Sequence, residues 1–120
     1  MDDRLFSLDH IWVSACGDTL KLGITDYAQG KLGNIIFVNL PEAGDTLTTG
    51  EKFADIESIK AVSDLYSPVD GEVVRVNEEL ADEPEKLNED PYSCWLIEVR
   101  PSAEPSGLVD EQTYLLRKKD

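Results

Sequence analysis

One primary amine in this chain stands apart for chemistry. Lys60 separates two apolar-rich runs, residues 53–59 and 61–66, neither of which holds another base. It sits where one strand turns into the next, with its ammonium pointing into water. Position alone favours an ordinary solvated lysine at a hairpin. The other candidates are weaker. His10 and Trp12 suggest catalysis or ligand stacking, but no nucleophile or carboxylate partner stands at a characteristic spacing, so they read as a packed or surface pair. Cys16 and Cys94 are too distant in sequence for a metal knuckle, and a single histidine cannot complete a zinc site. They are expected to be free thiols in a reducing compartment, with Cys94 as small buried filler. Residues 78–90 hold seven acids and one base, Lys86, without the ligand periodicity and central glycine of a calcium loop. They read as a solvated acidic face, partly helical over 84–87, that could dock a basic partner.

The elements that must position Lys60 follow from periodicity. Ile56 and Ile59 alternate with Asp55 and Glu57, and Val62 and Leu65 with Ser63 and Asp64, which favours two half-buried strands over a helix. Ser67-Pro68-Val69-Asp70-Gly71 carries a proline that cannot donate to a ladder and a glycine suited to a turn, and a strand follows over 72–77. Upstream, residues 5–8 and 11–15 read as short strands and 18–24 as a longer one. Thr25 caps a helix of about two turns, Asp26 suits its first turn, Gly33 ends it, and Tyr27 and Leu32 face inward. Residues 34–40 read as a strand buried on much of both faces, 41–45 as a turn, and 95–100 as a strand. Ser106 caps a tail helix over 106–118, with Leu108, Val109, Tyr114 and Leu115 as its apolar face and Arg117-Lys118-Lys119 at its C-terminal end.

A weak repeat is also visible. Gly33-Asn34-Ile35-Ile36-Phe37-Val38-Asn39 aligns with Gly71-Glu72-Val73-Val74-Arg75-Val76-Asn77, 38 residues later. It predicts two similar half-sheets about a pseudo-twofold, with Lys60 on the hairpin between them.

The chain has 120 residues, 41% of them apolar, and a formal charge of −14. That length suits a single domain, here 1–120, burying roughly 65% of its unfolded surface. The charge opposes nucleic-acid binding, since a polyanion repels phosphates. No apolar run approaches the ~20 residues that span a bilayer. The acidic start, Met1-Asp2-Asp3-Arg4, lacks the features of a secretory or transit leader. The expectation is a cytoplasmic, bacterial monomer, or a mitochondrial-matrix protein if a leader has been removed.

Three separated segments carry a family resemblance. Glu57-Ser58-Ile59-Lys60-Ala61, followed by Asp64-Leu65-Tyr66-Ser67-Pro68-Val69-Asp70-Gly71-Glu72-Val73-Val74, resembles the lipoyl-attachment segment of the glycine cleavage system H protein. Lys60 precedes Gly71 by 11 residues, as in that family. Gly23-Ile24-Thr25-Asp26-Tyr27-Ala28-Gln29 and Asn88-Glu89-Asp90-Pro91-Tyr92 resemble two further family motifs, so the similarity runs over about 6–101. The resemblance implies a mainly β fold, a flattened two-sheet barrel-sandwich hybrid of the lipoyl and biotinyl carrier type, with short helices and a C-terminal helix. It implies (R)-lipoate in amide linkage on Lys60. The arm would take an aminomethyl group from the pyridoxal-phosphate glycine decarboxylase and pass the one-carbon unit to tetrahydrofolate on the aminomethyltransferase. Dihydrolipoamide dehydrogenase would reoxidise it, and a lipoate-attaching enzyme would load it. The carrier itself would catalyse none of these steps.

Two positions depart from the family. Its His-Glu-Trp-Val, whose glutamate lines the cleft for the loaded arm, reads His10-Ile11-Trp12-Val13 here, and Cys94 stands beside Trp95 where glycine is usual. Both motivate an alternative, a lipoyl relay supplying other 2-oxoacid dehydrogenase complexes. A biotin carrier is disfavoured because Ile59 and Ala61, not methionines, flank the lysine.

Overall fold

The computed structural model describes residues 4–118. The acidic start at 1–3, and Lys119 of the tail, lie outside the described residues. Strands β1 (Leu5–Phe6), β2 (Ile11–Cys16) and β3 (Thr19–Ile24) form an antiparallel meander, followed by helix α1 (Asp26–Leu32). Next come β4 (Ile35–Asn39), β5 (Thr46–Leu47), β6 (Lys52–Ser58), β7 (Val62–Tyr66) and β8 (Gly71–Val76). Two single-turn helices, α2 (Glu79–Asp82) and α3 (Lys86–Glu89), precede β9 (Ile97–Pro101) and a final helix α4 (Glu111–Arg117). One sheet has six strands in the order β1-β2-β3-β9-β8-β5, the other three in the order β4-β6-β7. The mainly β, two-sheet architecture is the one expected.

The main core is built from inward positions of both sheets. Ile11, Leu22, Ile24, Val73, Ile97 and Val99 come from the larger sheet, and Ile35, Val38, Ile56 and Leu65 from the smaller. Leu80 and Leu87 cap it, one from each short helix. Alternation along each strand put these side chains on one face, and their burial supplies the main stabilisation. Phe6, Trp12 and Tyr114 form a second, smaller core that fastens α4 to the meander. The Phe6 and Tyr114 rings stack at 5.1 Å.

Several sequence expectations change. The strand at 34–40 is not buried on both faces. The β4–β6 register shifts between Ile35 and Phe37, a bulge that turns two consecutive side chains, Ile36 and Phe37, out to solvent. The β8–β9 register shifts between Val73 and Arg75, the same place in the other copy of the repeat. The repeat is therefore real at the level of the bulge, yet the half-sheets are unequal, with three strands and six. Its two glycines also differ: Gly33 has φ +76 at the end of α1, whereas the Gly71 backbone packs directly against Arg100 and Pro101.

The acidic stretch folds as two separate helical turns rather than one around 84–87. The ladder of the last strand begins at Ile97, although Leu96 N already donates to Leu22 O at 2.7 Å. The tail helix starts at Glu111, not Ser106. Asp110 is its cap, accepting from Thr113 N at 2.8 Å, and Val109 is held extended by a two-bond bridge to Phe6. Only Tyr114 of the expected apolar face is fully buried; Leu115 points to solvent.

Candidate functional site

Lys60 lies at the tip of the β6–β7 hairpin. Glu57 pairs with Val62, leaving residues 58–61 to turn the chain, and Ser58 N donates to Ala61 O at 2.8 Å. The serine side chain completes the turn: its Oγ accepts from Lys60 N at 3.3 Å and from Ala61 N at 3.2 Å. A hydroxyl taking neighbouring backbone donors is a standard serine turn device, and here it operates on a side chain that is 7% exposed. The tip projects while its base is fixed.

Flanking residues follow from that projection. Ile59, expected on the inward face with Ile56, is 69% exposed, and Val62 is 63% exposed. The alternation ends where the strand does, because a turn residue has no sheet face to return to. Lys60 is exposed, and among the described residues no carboxylate pairs with its amine. Its alkyl chain runs beside Gly33: a Cβ added there would stand 3.6 Å from Lys60 Cε. Ile59 N donates to Asn34 O at 3.1 Å, so the tip is also tied to the α1–β4 connection.

A cleft of about 380 Å³ opens between α1 and β7, the second strand of the hairpin. Asp9, His10, Lys31, Asp64 and Tyr66 lie on its walls, with Leu32 and Leu65 contributing apolar surface. His10 is a packed residue of this wall. Its Nδ1 lies 2.7 Å from Tyr114 Oη, which lies 2.7 Å from Thr25 Oγ1 as well. Burial pushes the Tyr114 phenol up to about 12. Trp12 packs against Gly23, where any Cβ would collide with the indole, and donates to Pro91 O at 2.9 Å.

The three sequence motifs meet around this region. Thr25 caps α1 as expected, accepting from Ala28 N at 3.2 Å. Tyr92 Oη accepts from Asp26 N at 3.1 Å, joining the last motif to the first turn of the helix. Asn88 reaches the far end of the same helix. The sequence marked Asn88 as the first residue of the third motif, but nothing beside it named the partners at the end of α1 that its amide would reach.

A model of the glycine cleavage H-protein family matches residues 4–120. The chain belongs to the glycine cleavage H-protein family. Among its relatives, the glycine cleavage system H protein of Rubrobacter xylanophilus is 52% identical over 111 residues, covering 92% of this chain and 88% of the relative. That of Aliivibrio fischeri is 50% identical over 117 residues, covering 94% and 93%. The crystal structure of a glycine cleavage system H protein from Mycobacterium marinum superposes with a TM-score of 0.88 at 39% identity, covering 95% and 94%.

The chain is therefore a carrier component of the glycine cleavage system, and its fold is that of the lipoyl carriers. Nothing in these matches points to the relay role. The two departures from the H-protein pattern have structural accounts. Ile11 is fully buried, paired with Ile24 in the main core, and does not line the cleft. The carboxylates on the walls of the cleft between α1 and β7 are Asp9 and Asp64. Cys94 is 9% exposed, and burial pushes its thiol up to about 11, so it is filler rather than a reactive group. Among the described residues no helix is long and apolar enough to cross a membrane, and no cluster could hold a metal ion.

Proposed function

We propose that Lys60 carries (R)-lipoate in amide linkage and that residues 1–120 act as one non-catalytic lipoyl-carrier domain. The observation that carries this reading is an exposed amine, with no ion-pair partner among the described residues, on a turn whose base is fixed by Ser58 and Asn34. The residues fit the group. An exposed amine is open to acylation, and the cleft between α1 and the hairpin's second strand offers apolar surface from Leu32 and Leu65 next to polar Asp64 and His10. Lipoate bound there would supply a strained disulfide that accepts a one-carbon unit on one sulfur while the other becomes a thiol.

The chain's own contribution is presentation. The hairpin holds the attachment atom away from the sheets, so several enzymes reach one tethered group at a high effective concentration. Those enzymes are glycine decarboxylase, which would load the aminomethyl group, the tetrahydrofolate-dependent aminomethyltransferase, which would unload it, and dihydrolipoamide dehydrogenase. A lipoate-attaching enzyme would form the amide. The net charge of −14 suits docking to basic faces on these partners and none to nucleic acid. The free thiols Cys16 and Cys94 suit a reducing, cytoplasmic setting.

The test is intact mass after co-expression with a lipoate ligase and lipoate. One lipoyl group is expected on the wild-type chain and none on Lys60→Ala, with glycine-dependent loading by decarboxylase only on the modified form. Addition of lipoate to Lys60→Ala would show the attachment point to be another residue.

A further inference from the structure

We propose that Asn88 is a positioning residue for the Lys60 tip, acting through the two peptides that flank Asn34. This rests on the reading of Lys60 as the attachment point. The Asn88 side chain uses its whole amide on one short segment. Nδ2 donates to Gly33 O at 2.8 Å and to Gln29 Oε1 at 2.9 Å, while Oδ1 accepts from Ile35 N at 2.9 Å. Only this orientation of the amide satisfies all three partners, since two are acceptors and one is a donor.

Gly33 and Ile35 are thus held on either side of Asn34. The Asn34 carbonyl is the acceptor for Ile59 N, at 3.1 Å, immediately before Lys60. The Lys60 side chain itself lies along Gly33. Gly33 sits at φ 76, ψ −151, a conformation open in practice only to glycine and in need of external fixing. From α3, Asn88 supplies that fixing, and the hairpin tip inherits it.

The chemistry demands the amide. Aspartate could still accept from Ile35 N, but it would set a carboxylate against the Gly33 and Gln29 oxygens. A tip that occupies its bound geometry for only part of the time weakens apparent affinity in proportion to that fraction and leaves the chemical step unchanged. The expected signature is therefore on KM.

The experiment compares Asn88→Ala and Asn88→Asp with a control, Val99→Ala, which opens a core site in β9 and lowers the thermal midpoint without touching the tip. Two readouts are taken: hydrogen exchange at the Ile59 amide, and the KM and kcat of a lipoate ligase for the unmodified protein. Both Asn88 variants should exchange Ile59 N–H faster and raise KM by about tenfold with kcat kept, as for a tip correctly placed about a tenth of the time. The control should do neither. Equal effects in Val99→Ala, or wild-type behaviour of Asn88→Asp, would overturn the proposal. If even the wild-type chain takes no lipoyl group, the reading of Lys60 fails, and the Ile59 exchange comparison alone then decides for or against the clamp.

Discussion

The hydroxyl of Ser58, a buried residue at the base of the turn, lies 3.3 Å from the backbone nitrogen of Lys60, at the exposed tip. The buried residue shapes the turn, and the exposed one is free to be modified. Ser58→Ala removes an acceptor shared by two backbone donors and should cost about 1–2 kcal/mol. Urea denaturation measures the loss, and trypsin should cut more readily after Lys60. Lys60→Ala should leave stability within about 0.5 kcal/mol, since an exposed side chain at a turn tip holds little together.

Tyr114 decides whether α4 stays docked. Its ring fills the second core and its hydroxyl serves both His10 and the fully buried Thr25. Tyr114→Phe should cost about 1–3 kcal/mol, because Thr25 then loses a partner in a place water does not reach. Tyr114→Ala should cost about 3–5 kcal/mol through the added cavity. Thermal melts of the two variants separate the hydroxyl from the ring.

Glu98 makes acid stability measurable at one carboxylate. A hydrogen bond from Thr19, at 2.6 Å, and the ion pair with Arg75, at 2.7 Å, hold its carboxyl below the usual glutamate range. The folded value lies below the unfolded one, so the contribution is present above the unfolded value near pH 4.3 and is lost as pH falls through the folded one. Glu98→Gln should lower stability at pH 7 and flatten the dependence on pH below about 5. Denaturation midpoints across that range provide the check.

The two cysteines should differ sharply in reactivity. Cys16 is exposed, whereas Cys94 is buried with its thiol raised to about 11. At pH 8 only about one Cys94 thiol in a thousand would be ionised. Iodoacetamide on the folded protein should label Cys16 alone, and denaturation should add the second label, as read by peptide mass.

The sequence by itself determined what depends on near neighbours. Thr25 caps its helix, β6 and β7 meet around Lys60, and the bulged strands share a pattern repeated 38 residues apart. These features follow from backbone chemistry over a few residues and from the two-residue period of a strand. Tertiary structure decided the rest. Val109 is extended rather than helical because Phe6, 103 residues away, pairs with it. Ile36 faces solvent because a register shift, set by the partner strand, interrupts the alternation. Asn88 sits among acids that signal a solvated face, and its purpose exists only once α3 packs beside the end of α1. A side-chain amide carries no mark of which distant carbonyl it will hold, since that partner is fixed by how the two helices pack and not by the residues beside it.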